Sequence, residues 1–147
     1  MQLSSRTEYA ARALIALAGA VADDSPVQLA DLAAGQEIPP DYLAQLVGTL
    51  KSGGLVATRR GPGGGLLLAR PAGDVSLAEV VQLMEGSFSP AECGGGADRC
   101  HRTARCALQE AWGDLARAMA EALGRHSLAR IARRQDELCR SSPMYHI

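Results

Sequence analysis

Three cysteines, Cys93, Cys100 and Cys106, lie within fourteen residues of one another, and glycine and short polar residues fill most of the space between them. Thiolates are ligands for zinc and for iron–sulfur clusters, and a glycine-rich segment lets three sulfur atoms converge on one centre. The intervals, six and five intervening residues, are longer than the paired C-x-x-C of a zinc ribbon. The segment therefore suggests a site for a metal ion or an iron–sulfur cluster, the cluster being of either the two-iron or the four-iron type.

Other chemistry is compatible with the same cysteines. Zinc held by them together with His101, a reversible thiol–disulfide switch without metal, and structural cysteines without a ligand are the alternatives. Cys139 lies far along the chain and is interpreted as a bystander thiol. An enzyme is not predicted, because the sequence has no phosphate-binding loop or nucleophile–base pair and its other histidines, His126 and His146, are scattered.

Length and composition limit the classes of protein to which this chain can belong. A chain of 147 residues with 47% hydrophobic and only 3% aromatic residues predicts one domain with an extension and a core of Ala, Leu and Val. The net charge of −1 gives no global field for nucleic acid, but residues 51–70 carry four basic and no acidic side chains. No apolar run approaches the roughly 20 residues that cross a bilayer, and no secretory signal precedes the first helix, so we expect a cytoplasmic protein with reduced thiols.

The elements before the cysteines follow the order of a winged helix-turn-helix. Apolar spacing and turn residues predict helices over about 4–20, 27–34 and 39–52, then short strands over 55–58 and 66–69. The two strands enclose a basic, glycine-rich turn. The predicted fold class is mainly α with a small β-hairpin wing, and residues 1–72 form a DNA-binding domain.

The third helix and the hairpin are the candidate DNA-reading elements. A helix in the major groove reaches base edges with its early exposed residues, here Tyr42 and Gln45, and the wing can lay Arg59 and Arg60 along phosphates. A merely solvated hairpin tip is the alternative for the two arginines. The full set of predicted DNA-binding residues is Gln28, Tyr42, Gln45, Lys51, Arg59, Arg60, Gly63 and Gly64.

The second half predicts a linking helix over about 75–85, the cysteine segment, and a long helix from about 106 to 123. Residues 73–105 form the linking part, and residues 106–147 form a dimerisation helix and tail. Apolar residues of the long helix recur at steps of four and three, the spacing of a coiled-coil seam. Packing within one subunit is the alternative to a dimer seam. The predicted seam residues are Leu108, Trp112, Leu115, Met119 and Ala122.

Residues 3–17, 38–55, 60–71 and 75–86, with the cysteine segment and its following helix, together resemble the Rrf-type family of small bacterial winged-helix regulators. Known members of that family include the iron–sulfur sensors IscR, NsrR and RirA. The resemblance covers nearly the whole chain except about the last ten residues. It implies a homodimer that crosses through the long helix and binds a partly palindromic DNA operator.

The resemblance also implies that Cys93, Cys100 and Cys106 ligate one iron–sulfur cluster per subunit. The histidine that IscR-like members place three residues after the last cysteine is Gln109 here, although the tryptophan of that helix is retained as Trp112. NsrR-like members use a carboxylate of the first helix, donated by the other subunit, and the matching residue is Glu8. An ordinary surface glutamate near a helix N-terminus is the alternative for Glu8.

Two further classes compete with a cluster-sensing regulator. An electron carrier or cluster-transfer protein would usually offer four cysteine ligands and would leave the winged helix without a role. A cluster-free winged-helix regulator that responds to a metabolite or a partner protein is the closer alternative.

Overall fold

The computed structural model describes residues 3–20, 25–89 and 106–141. Six α-helices and one β-hairpin make up these parts of the chain, which confirms the predicted fold class. No helix within them is long and apolar enough to span a membrane. The elements are α1 (Ser5–Ala20), α2 (Leu29–Gln36), α3 (Pro40–Ser52), β1 (Val56–Arg59), β2 (Gly65–Leu68), a 3-10 helix (Ala72–Asp74), α4 (Leu77–Glu85), α5 (Ala107–Gly124) and α6 (Leu128–Ser141).

Helix α1 forms the centre of the core. It packs against α2, α3, β2, α4 and α6, and buries Ala10, Ala13, Leu14 and Leu17. Tyr9 is half-buried and packs against the edge of this core.

The predicted start of the second helix at residue 27 is wrong, since α2 begins at Leu29. Val27 is instead extended: its N–H donates to the carbonyl of Leu66 at 2.8 Å, and its carbonyl accepts from the N–H of Leu66 at 2.8 Å. A third extended segment therefore lies beside β2, along the outer edge of the hairpin. The other edge of β2 pairs antiparallel with β1, from Val56 with Leu68 to Arg59 with Gly65.

Helix α3 has the predicted boundaries. Pro40 occupies its first turn, where the missing N–H costs nothing, and Gly53 follows its last residue. Helix α4 begins two residues later than predicted, because Ser76 caps it in a capping box with Glu79. Gly86 ends α4 in the left-handed conformation.

The last two helices attach to the domain in different ways. Helix α6 is anchored by Leu128 and Ala132, which are buried, and packs along α1. Two backbone hydrogen bonds, from Leu77 N to His126 O and from Leu128 N to Val75 O, tie the α5–α6 junction to the segment before α4. Helix α5 packs against α4 but buries none of its residues.

Candidate nucleic-acid interface

Helix α3 divides cleanly into a buried and an exposed face. Its buried face is formed by Leu43, Leu46, Val47 and Leu50. Gln45, on the opposite side, is exposed, and its amide has no hydrogen-bond partner among the residues that the structure describes. The predicted base-reading residue is therefore available to a ligand from outside the protein.

Tyr42 has a different setting from Gln45. Its half-buried ring packs edge-to-face against Tyr9 of α1, with 5.8 Å between ring centroids and an interplanar angle of 79°. The Arg12 guanidinium lies 5.8 Å from the centroid of the Tyr9 ring. An edge-to-face pair adds about 0.5–1.5 kcal/mol to area burial. Tyr42 thus fixes the start of α3 on α1, and a base contact by Tyr42 stays a prediction.

One contact between α1 and α3 involves an arginine that sequence reasoning missed. The Arg6 guanidinium donates to Thr49 Oγ1 at 2.8 Å, which links the first turn of α1 to the last turn of α3. No local pattern indicates this bond, because its partners are far apart in sequence. Arg12 similarly donates to the carbonyl of Gln36 at the end of α2.

The wing carries unpaired positive charge. Arg59 and Arg60 are exposed, and the side chain of neither forms an ion pair or hydrogen bond with the described part of the chain. Lys51 at the end of α3 donates to Thr58 Oγ1 of β1 at 3.2 Å, so its charge lies beside the wing. Arg70, by contrast, is neutralised by Glu79 at 2.7 Å.

Gln28 braces the wing. Its amide nitrogen donates to the carbonyl of Gly64, so this nitrogen is occupied, and DNA binding by Gln28 stays a prediction. Gly63 has φ of 74°, and a Cβ on Gly64 would lie 2.3 Å from the carbonyl oxygen of Arg59. Glycines at these positions therefore permit the turn itself, besides any approach to DNA.

The first turn of α1 is capped by a carboxylate from α4. Glu85 accepts hydrogen bonds from Ser4 N at 2.9 Å, from Ser4 Oγ at 2.7 Å, and from the Thr7 hydroxyl. The hydroxyl hydrogen bonds of Thr7 and then of Ser4 hold the pKa of Glu85 below its usual value. The contact therefore connects the end of α4, the helix that precedes the cysteine segment, to the helix carrying Arg6.

Glu85→Gln is expected to lower the free energy of unfolding by about 1 kcal/mol at neutral pH, a modest loss because the carboxylate is exposed. A carboxylate with a lowered folded-state pKa stabilises fully above its unfolded pKa of about 4.5 and loses that contribution as pH falls through the folded pKa. Denaturant unfolding of the wild type and of Glu85→Gln, measured at a series of pH values from neutral to acidic, checks the prediction. A stability difference that stays constant down to acidic pH would contradict the role of the charge.

The candidate metal ligands are only partly within the described residues. Cys93, Cys100 and His101 lie outside them. Cys106 has a free, half-buried thiol at the N-cap of α5, and Glu8 is exposed in the first turn of α1 with no partner in the described ranges. The thiol and the carboxylate are thus both available as ligands, which fits the predicted donor set.

A helix-turn-helix followed by a wing, with one exposed glutamine and two arginines whose side chains have no partner among the described residues, defines a winged-helix DNA-binding protein. The profile of Rrf2, described as an iron-dependent transcriptional regulator family, matches residues 3–134. The chain therefore belongs to the Rrf2 family and is a transcriptional regulator, not an enzyme. This confirms the family resemblance found in the sequence.

The chain is similar to two curated regulators along most of its length. It is 37% identical over 138 residues to the HTH-type transcriptional regulator IscR of Xenorhabdus nematophila, covering 94% of this chain and 83% of that protein. It is 36% identical over 138 residues to the same-named regulator of Yersinia enterocolitica, with the same coverage.

Two solved structures have the same fold. The global cysteine regulator CymR of B. subtilis matches with a TM-score of 0.73 and 26% identity, covering 91% of this chain and 98% of that chain. T. potens IscR matches with a TM-score of 0.76 at 23% identity, covering 99% of this chain and 95% of that chain.

Proposed function

We propose that this protein is a homodimeric, cytoplasmic regulator that binds a partly palindromic double-stranded DNA operator and senses iron–sulfur, redox, iron or nitric oxide status through an iron–sulfur cluster. Cys93, Cys100 and Cys106 would hold the cluster, with Glu8 of the partner subunit as fourth ligand. The observation that carries the proposal is the free thiol of Cys106 at the N-cap of α5, where the cysteine segment meets the long helix. The start of an 18-residue helix favours negative charge, as on a ligating thiolate.

The similarity to IscR proteins along 94% of the chain supports this proposal. The cluster supplies, when bound, an iron centre whose thiolate coordination is incomplete and therefore reactive towards small molecules. The residues of this chain supply the ligands and the contacts to the DNA-reading helix. Glu85 binds the first turn of α1, and Arg6 of that turn binds Thr49 of α3. Contacts therefore run without a break from the end of α4 to the reading helix.

The exposed face of α5 supports the dimer. Leu108 is 57% exposed and Leu115 is 38% exposed, although both are large and apolar. Trp112 and Met119, which the sequence pattern placed in the same seam, are half-covered instead. The exposed apolar positions recur at steps of three and four, which is the spacing of a helix–helix seam. The proposed seam consists of Leu108, Ala111, Leu115, Ala118 and Ala122.

The proposed DNA binding depends on charged and polar side chains that have no partner among the described residues. Arg59 and Arg60 on the wing are free for phosphates, and Gln45 is free for a base edge. A dimer presents two copies of this surface, so its operator would have two related half-sites.

An absorption spectrum of protein purified without oxygen, with iron and sulfide assays on the same sample, tests the cluster. We expect visible bands with matching iron and sulfide, and their loss in the separate Cys93→Ala, Cys100→Ala and Cys106→Ala variants. Cys139→Ala is the matched control, because Cys139 lies exposed on α6. Wild-type protein that stays colourless after cluster reconstitution would overturn the iron–sulfur proposal and leave the regulator.

Glu8→Ala is expected to leave the melting temperature nearly unchanged, because Glu8 has no partner among the described residues. The rate of cluster loss in air is expected to rise about tenfold or more, because the cluster would lose one of its ligands. The decay of the visible bands measures this rate. Asp31→Ala is the control, since Asp31 is likewise an acidic residue in the first turn of a helix. Equal decay rates in both variants would remove Glu8 from the ligand set.

The similarity to CymR favours a second candidate, a regulator whose cysteines hold no cluster. CymR is the global cysteine regulator of B. subtilis, so regulators of this fold are not all named for iron. Zinc or a thiol–disulfide switch at the same cysteines belongs to this candidate. A colourless protein with one bound zinc per chain, or with oxidation-dependent DNA binding, would support it.

A further inference from the structure

We infer that Gly48 is a specificity-determining position of α3: the absence of a side chain there lets the helix backbone seat against the major groove, so that Gln45 reaches a base edge. The inference rests on the proposed operator binding and names the part of the reading helix that makes the closest approach. It concerns a residue to which the sequence pattern gave no role.

The fold of the subunit does not need a glycine at position 48. The residue lies in the interior of α3, is exposed, and has a helical backbone without positive φ. A Cβ added to it would meet no heavy atom within 4 Å. Glycine in a helix interior is less stable than alanine, because it loses more backbone freedom on folding. The helix thus carries a weakening residue that no contact within the described chain explains.

Two other glycines, Gly53 and Gly65, have internal explanations. A Cβ on Gly53 would lie 2.4 Å from Leu83 Cδ2 of α4, and a Cβ on Gly65 would lie 2.6 Å from the carbonyl oxygen of Val27. Close packing inside the protein therefore excludes side chains at these two positions. For Gly48, a close approach from outside is the corresponding reason.

The surroundings of Gly48 point to DNA. It lies one turn after Ala44 and Gln45 on the face opposite Leu43 and Leu46, and the Gln45 amide is unpartnered in the described structure. Glutamine reads adenine through a paired contact to N6 and N7, which requires the helix to lie deep in the groove. A side chain one turn further along the same face would hold the helix away from the base edges.

The test begins with a selection of bound sequences from a random DNA pool. Wild-type protein is used in two forms, one purified without oxygen and one from which any metal or cluster has been removed. Affinities for the selected operator are then measured for Gly48→Ala, Gly48→Leu and Gly19→Ala, together with their melting temperatures. Gly19 is the matched control, because it is an exposed helical glycine of α1 whose added Cβ would also meet nothing within 4 Å.

We expect Gly48→Ala to melt about 3 °C higher than wild type and yet to bind the operator about tenfold more weakly. Gly48→Leu should lose about a hundredfold or more of the affinity. Gly19→Ala should gain stability without losing affinity. A variant that melts at a higher temperature but binds the operator more weakly indicates that Gly48 acts at the interface with DNA. A purely structural role would change melting temperature and operator affinity in the same direction. Gln45→Ala, selected in the same way, should lose the base preference at one position of each half-site.

Wild-type affinity in both Gly48 variants would overturn the inference alone. Wild-type protein that selects no sequence in either form would overturn the proposed operator binding, and the inference with it.

Discussion

Leu115→Glu is expected to convert the proposed dimer to a monomer and to weaken operator binding about a hundredfold or more. Leu115 lies at the middle of α5, is 38% exposed, and has Leu108 and Ala122 one heptad away on either side. A symmetric seam would bury the glutamate twice, without a partner in either copy. Since each of two such carboxylates costs several kcal/mol when desolvated, the seam should not form.

Size-exclusion chromatography with light scattering measures the oligomeric state, and fluorescence anisotropy measures operator affinity. Leu138→Glu is the matched control, because Leu138 is a 48% exposed leucine on α6 and lies outside the proposed seam. The control should remain dimeric with unchanged affinity. Dimeric Leu115→Glu protein would place the interface elsewhere.

Gly65→Ala is expected to lower the free energy of unfolding by about 2–4 kcal/mol. Gly65 has φ of 156°, and an added Cβ would lie 2.6 Å from the carbonyl oxygen of Val27. Both the backbone conformation and the space therefore exclude a side chain. The obstructing atom belongs to the backbone that pairs with Leu66, so relief of the clash would cost the hydrogen bonds at the outer edge of the hairpin.

Chemical denaturation at equilibrium measures this loss. Gly73→Ala is the control, because Gly73 lies in the 3-10 helix, has no positive φ, and an added Cβ there would meet nothing within 4 Å. Its unfolding free energy should change by less than about 0.5 kcal/mol. A loss of that small size in Gly65→Ala would mean that Val27 does not hold the edge of the hairpin.

The helices were predictable from the sequence where local chemistry defines them. Pro40 and Gly53 mark the ends of α3, and the apolar period of α3 gives its buried face directly. Val27 was misassigned because a β-branched residue before a helix has no local signal that distinguishes a helical turn from an isolated β-bridge. The hydrogen bonds that decide the question come from Leu66, which is distant in sequence.

The candidate site also has some features that were predictable from the sequence and others that were not. The free charges of Arg59 and Arg60 follow from their place in a glycine-rich turn, which the sequence displays. The contacts of Arg6 with Thr49 and of Glu85 with Ser4 were not predictable, because each joins residues that only the packing of α1 brings together.

The brace between Gln28 and the carbonyl of Gly64, with the pairing of Val27 and Leu66, has a mechanical consequence. The entry to α2 and the wing are locked to each other, while Lys51 joins α3 to β1. Hydrogen bonds therefore join the wing both to the entry of α2 and, through Lys51, to α3. In the proposed dimer, a signal that displaced these joined elements together would alter the distance between the two half-sites more than the fit to each half-site.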